Sequence, residues 1–238
     1  MRPGELHPSE LHPGELRPGD LRPGVTGRVG GRIVCFGTAS GTRLVVGLWR
    51  SSPFGRFADV MLQDAPGHRI LLAPSPAVAE FVSATYRFDE ARVVPVRFGR
   101  RRRLVGIHAG PLAVSVAVGR PTALGLLLRS VPARVATDPR WLAAIDPVAA
   151  AVMPGVHTAG TAGGSRREYY GVTAVRELAW AEASLDGSDL GAFGPLDPPV
   201  GFGFGSAPPR PSAVDLVTTI RQGAPVQPTP GRSRAQAQ

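Results

Sequence analysis

Along the first half of the chain, short apolar runs come in pairs, and each pair is divided by a polar segment rich in Gly, Ser, Asp or Pro. Ile33, Val34 and Phe36 precede Thr38-Ala39-Ser40-Gly41, and Leu44, Val45, Val46 and Leu48 follow it. That pattern predicts a β-hairpin. A second hairpin is predicted in ADVMLQDAPGHRILLAP, where Asp64-Ala65-Pro66-Gly67 has the chemistry of a turn: Asp opens it, Pro fixes a backbone angle and Gly accepts the left-handed position. A four-residue turn there sets Gln63 opposite His68, Met61 opposite Ile70 and Asp59 opposite Leu72. Ala58, Val60 and Leu62 then share the other, more apolar face with Leu71 and Ala73, so Asp59 and His68 are expected on the wetter side as solvated strand residues. A third hairpin is predicted from ARVVPVRF and RLVGIHAGPLAVSV, with Gly99 and the arginine run at its tip; Pro95 cannot donate to a ladder and marks an edge or a bulge.

Helical spacing is confined to a few places. Ser75-Pro76 reads as an N-cap followed by proline in the first turn, and Val78, Phe81, Val82 and Thr85 recur on one face, predicting a short amphipathic helix that covers a sheet. Asp138-Pro139 and Asp146-Pro147 each resemble a helix start. Pro154-Gly155 ends the second, and residues 156–165 have the composition of a loop. REYYGVTAVRELAWAEASLDG combines strand and helix preferences and is read as one long strand; residues 213–220 suit a final strand or a short helix.

These elements predict an α+β fold, predominantly antiparallel hairpins forming a curved sheet or barrel with two or three short helices packed on it. The expected organisation is a low-complexity pentad-repeat tail over residues 1–24, one globular domain over 25–221 and a disordered C-terminal tail over 222–238. Each pentad of the tail contains a proline, and four units are too few to bury a continuous core, so Leu6, Leu11, Leu16 and Leu21 have nothing to stack on.

Composition sharpens what chemistry is open. All 27 basic residues are arginine, which removes lysine Schiff-base catalysis and the lysine of a Walker loop. The single cysteine, Cys35, lies in an apolar run and reads as a small buried hydrophobe; neither an intrachain disulfide nor a cysteine zinc site can form. His68, His108 and His157 are 40 and 49 residues apart, too far for two imidazoles to share a helix turn or strand face, and no metal or cofactor is expected. GFGFGSAPPRP has the glycines of a nucleotide loop, but Pro208, Pro209 and Pro211 forbid the helix that must follow them. The charged, Pro-rich N-terminus has no signal-peptide pattern and no run is long enough to span a bilayer, so a soluble cytoplasmic protein without a membrane partner is expected.

Two groups of residues remain as candidates. His108 stands alone in an apolar run, and strand alternation sends Glu168 and Tyr170 to one face beside the 156–165 loop, so these three are the candidate catalytic residues. Arg97, Arg100, Arg101, Arg102 and Arg103 form the densest charge cluster and are the candidate ligand-binding residues, with a solvated hairpin tip as the plain alternative. A small-molecule-binding or interaction protein of unknown ligand is the first expectation. The alternatives are a metal-independent enzyme using acid/base residues in a pocket under the 156–165 loop, and Arg-mediated nucleic-acid binding, for which interleaved aromatic residues are lacking.

Overall fold

A computed structural model describes residues 26–152, 158–161, 166–203 and 207–222. Strands β1 (Thr26–Thr38) and β2 (Arg43–Ser51) form the first hairpin, β3 (Phe57–Gln63) and β4 (Arg69–Ala73) the second. Helix α1 (Pro76–Ser83) follows, then β5 (Glu90–Val93), β6 (Val96–Arg101), β7 (Leu104–Ala109) and β8 (Leu112–Pro121). Helices α2 (Ala123–Arg129), α3 (Ala133–Ala136) and α4 (Pro139–Val152) precede β9 (Ala159–Thr161) and the long β10 (Arg166–Leu185). Short strands β11 (Ser188–Asp189) and β12 (Phe193–Gly194) lead to β13 (Ser212–Gln222). The expected N-terminal tail, the C-terminal tail beyond Gln222, His157 and most of the 156–165 loop lie outside the described residues, and Gln222, expected in the tail, is the last residue of β13.

All described strands join one sheet whose main path runs β5, β4, β3, β2, β1, β13, β10, β8, β7, β6. Pairing is antiparallel except between β4 and β5. Consecutive strands β5 and β6 occupy opposite ends of this path, and Val94-Pro95 alone connects them. Val94 N–H donates to the Ala73 carbonyl on one edge, and the Pro95 carbonyl accepts from Gly110 N–H on the other, at 2.9 and 3.1 Å. One dipeptide thus ties both edges together and the sheet curls into a half-barrel. The expected strand ARVVPVRF is cut in two at Pro95, whose missing N–H can extend neither ladder.

The concave side is filled by side chains. Phe36, Leu44, Val46, Val60, Ile107 and Val116 are fully buried in one cluster that spans both halves of the sheet. Removal of each from water contributes about 1.5–3 kcal/mol. On the convex side of β3 and β4 lies α1, begun as expected: the Ser75 hydroxyl accepts from Val78 N–H at 3.3 Å and Pro76 occupies the first turn. Its Val78 and Val82 are buried against Phe57, Leu71 and Ala73.

The second hairpin differs from expectation by one residue. Asp64 accepts from the N–H groups of both Gly67 and His68, at 2.8 and 2.7 Å, and its own N–H donates to the His68 carbonyl. His68 therefore belongs to the loop, Gln63 pairs with Arg69 and Leu62 with Ile70. A one-residue shift exchanges faces, so Ile70 and Leu72 line the concave core while Leu71 and Ala73 meet α1. Asp59, expected in solvent, is 2% exposed because α1 and the segment after it cover the convex face.

The region after Pro121 also departs from its local signals. Helix α2, unforeseen, is capped by the Thr122 hydroxyl, which accepts from Gly125 N–H at 2.9 Å. Asp138 caps α4 as expected, accepting from Arg140 and Trp141 N–H groups. Asp146-Pro147 does not start another helix: α4 runs through Pro147, and the Asp146 carboxylate instead accepts from the N–H groups of Thr158 and Ala159 at 2.6 and 3.0 Å. The long strand is borne out as β10, and residues 213–220 lie within strand β13.

Strand β8 pairs with β10 from Arg176 to Leu185, and β9 pairs with it from Arg167 to Tyr169. Between them the edge of β10 is covered by helices: Thr122 N–H donates to the Val175 carbonyl, and the α3 residue Ala136 lies against Gly171.

Candidate functional site

Alternation along β10 places Glu168 and Tyr170 on one face, and the two meet: the Tyr170 hydroxyl donates to Glu168 Oε2 at 2.7 Å. The other carboxylate oxygen, Oε1, accepts from the Thr85 hydroxyl at 2.8 Å. The hydroxyl of Tyr86 lies 2.8 Å from that of Tyr170. Since Tyr170 spends its proton on Glu168, Tyr86 is the donor between the two phenols, and the order Tyr86 to Tyr170 to Glu168 is fixed. Burial, reinforced by the Glu168 carboxylate, pushes the Tyr86 phenol upward; burial and the neighbouring Tyr86 and Glu168 do the same to Tyr170. Both phenols are therefore protonated donors at neutral pH. The chain of bonds joins the end of α1 to β10.

A second buried acid lies near the same phenols. Gly47 faces Asp59 across the β2–β3 ladder, and the absence of a side chain there lets the Trp49 indole reach across. Its Nε1 donates to Asp59 Oδ1 at 2.6 Å. A Cβ at Gly47 would sit 2.4 Å from both atoms of that bond. Burial raises the Asp59 carboxyl to about 6 against the partial relief that Trp49 provides, and Asp59 adds to the upward push on Tyr86.

The other sequence candidates lie elsewhere. His108 is exposed on β7, opposite Arg97 on β6 and Ala113 on β8. Ala113 pairs with Ser184, which is sixteen residues from Glu168 along β10, or about 50 Å of strand at 3.3 Å per residue. The structure thus brings Glu168 and Tyr170 together and leaves His108 apart from them. Arg97, Arg100, Arg101, Arg102 and Arg103 are all exposed at the edge and tip of the β6–β7 hairpin, and Arg100 Nε donates to the Arg102 carbonyl at 2.9 Å.

A concave surface that the sequence did not announce lies at the helical end of the sheet. A groove of about 550 Å³ is bounded by β1, β13 and β10 on one side and by α3 and the start of α4 on the other. Arg28, Arg134 and Arg221 line it with the hydroxyl residues Thr137, Thr173 and Thr219, over a floor that includes Ala133, Pro139 and Val217. Asp138 is its one carboxylate and caps α4. Arg28 Nη2 donates to Thr137 Oγ1 at 3.1 Å, which holds that guanidinium against the end of α3. Arg221 lies over the Tyr169 ring at 5.6 Å, and Arg167 at 5.7 Å. Among the described residues, none of the three groove arginines forms an ion pair.

These residues come from a strand, a one-turn helix and another strand, so no local spacing signals them. Thr85 was visible as a hydroxyl in an otherwise apolar helical stripe, a sign of a polar partner on the sheet. Among the described residues no cluster of His, Cys, Asp and Glu is arranged to hold a metal ion, and no helix is long and apolar enough to cross a membrane.

No protein-family model and no curated protein matches the chain. Among solved structures, a candidate AttH from Nitrosomonas europaea aligns with 13% identity and a TM-score of 0.26 over 80% of this chain. This chain spans 38% of that one. A likeness at that level carries no information on activity.

Proposed function

We propose that this chain is a small-molecule-binding protein whose ligand is a compact anion, a carboxylate or phosphate with a short apolar body, held in the groove between α3–α4 and the ends of β1, β10 and β13. The observation that carries this reading is the excess of charge in the concavity: three guanidinium groups that form no ion pair among the described residues, against one carboxylate already engaged in capping a helix. Guanidinium forks match the paired oxygens of carboxylates and phosphates. The threonine hydroxyls add neutral donors, and Ala133, Pro139 and Val217 give the apolar part of a ligand a surface to cover. The packed half-barrel supports placing the ligand in this groove, outside the barrel.

In this reading Glu168 and Tyr170 are positioning residues that hold β10 against the end of α1, and Arg97 with Arg100 to Arg103 are solvated charges that guard an edge strand. The test is calorimetric titration with phenyl phosphate, inorganic phosphate and benzyl alcohol. Saturable binding of phenyl phosphate, weaker binding of inorganic phosphate and none of the alcohol are expected, with at least a tenfold loss in Arg28→Gln and Arg221→Gln. Equal binding by wild type and both variants, or no saturable anion binding, would overturn the proposal. Retention on heparin that survives in both variants but is lost on replacing Arg100 to Arg103 would point to nucleic acid instead.

A further inference from the structure

The three helices along the edge of β10 each bury a small or apolar residue against the sheet: Gly125 in α2, Ala136 in α3 and Leu142 in α4. Among the described residues, their opposite faces carry exposed apolar side chains. Leu126 and Leu127 are 58% and 66% exposed, and Trp141 is 42% exposed. Both consecutive leucines of α2 therefore face away from the core. Around them Arg129, Arg134 and Arg140 are exposed and, among the described residues, form no ion pair. The two acids of this segment are turned toward backbone donors, Asp138 to the start of α4 and Asp146 to Thr158 and Ala159.

We infer that this helical face docks on an anionic lipid surface. Protruding leucines and a tryptophan within a field of arginines suit a lipid interface, where apolar tips enter the acyl boundary, the indole sits at headgroup depth and guanidinium groups meet phosphates. Charge complementarity decides between occupants. A second copy of the chain would bring the same arginines face to face, whereas an anionic bilayer neutralises them. This inference does not depend on the ligand reading: of the residues invoked, only Arg134 and Asp138 also line the groove.

The test is sedimentation of the full chain with vesicles of phosphatidylglycerol and phosphatidylcholine in a 3:7 ratio, and with phosphatidylcholine alone. Binding to the mixed vesicles, weakened by salt and at least tenfold poorer on the neutral ones, is expected. In a Trp180→Phe background, which retains Trp49 and Trp141, the emission should shift to the blue on binding, and the shift should be lost when Trp141→Phe is added. Leu126→Ser with Leu127→Ser should lower vesicle affinity at least tenfold and leave the melting temperature and phenyl phosphate binding unchanged, since both side chains are exposed and outside the groove. Arg129→Gln with Arg140→Gln, which touches no apolar contact, should flatten the salt dependence. No binding to anionic vesicles, or equal binding by the serine variant, would overturn the inference. So would a wild-type dimer that the serine variant loses, because the face would then belong to self-association.

Discussion

The hydroxyl of Tyr86 reaches that of Tyr170 across 84 residues of chain, at 2.8 Å, and through it acts on Glu168. This contact ties the segment after α1 to the first part of the longest strand, with the proton order set by the carboxylate at its end. Tyr170→Phe removes both the donor to Glu168 Oε2 and the acceptor for Tyr86. A lost hydrogen bond to a carboxylate costs about 1.5–3 kcal/mol when the acceptor stays buried. Tyr86→Phe should cost about 0.5–1.5 kcal/mol, and the double variant less than their sum by about 0.5 kcal/mol or more, because the two phenols share one chain of bonds. Urea unfolding followed by circular dichroism measures all three; additive losses would show that the phenols act independently.

Asp59 predicts a pH dependence of unusual sign. Its folded pKa, raised by burial to about 6, lies above the ordinary value of 3.8. The folded state therefore holds a proton that the unfolded state releases between those values. The stability contribution of this group is greatest below about pH 4, falls as pH rises toward 6 and is level above that. A shift of this size corresponds to about 3 kcal/mol. Asp59→Asn keeps an acceptor for Trp49 without the charge. Subtracting its stability curve from that of the wild type should isolate a slope confined to pH 4–6, with the variant more stable at pH 7. Parallel curves would assign Asp59 an ordinary pKa.

What the sequence disclosed follows from how local each signal is. The N-terminal cap of α1 involves Ser75 and Val78 alone, and the alternation that put Glu168 and Tyr170 on one face is a property of a single strand. The register of β3 and β4 depended on one more residue, because Asp64 captures the N–H of His68 as well as that of Gly67. Burial of Asp59 needs Gly47 and Trp49 from another strand and α1 above them, so its polar residue type misled. Asp146-Pro147 carries the local signature of a helix start, and only the packing of Thr158 and Ala159 against α4 gives its carboxylate another use. For the groove, charge density along the chain pointed to Arg100–Arg103, whereas the arginines that line the concavity are single residues brought together by the sheet.

Cys35 should be chemically silent in the folded state. It is fully buried beneath Leu196 and Phe202, and burial pushes its thiol up to about 12, offset in part by a weak contact of 3.6 Å to the Ser212 carbonyl. The thiolate is the reactive form, so native protein at pH 8 should not react with a disulfide reagent such as DTNB over an hour, and should release one equivalent once unfolded in guanidinium. Release of a full equivalent within minutes from native protein would mean that the segment over Cys35 opens readily.

Gly125 poses propensity against packing. It lies inside α2, exposed to solvent on the next two positions, and by helix preference alone Gly125→Ala should stabilise by about 1 kcal/mol. The fold decides otherwise. A Cβ at this position would come 2.0 Å from the Val175 carbonyl oxygen and 2.9 Å from its carbon, both backbone atoms of β10. Neither can rotate away as a side-chain tip would. The same Val175 carbonyl accepts from Thr122 N–H at 3.1 Å, so moving α2 off the strand sacrifices the bond that anchors its start. Overpacking of this kind costs about 1–3 kcal/mol, enough to outweigh the helix gain, and the expected net effect is a loss of melting temperature of several degrees. Ser130→Ala at the exposed end of the same helix is the control, since it changes the helix without approaching β10. Should Gly125→Ala melt at or above the wild-type temperature, α2 would have to sit farther from β10 than this packing has it.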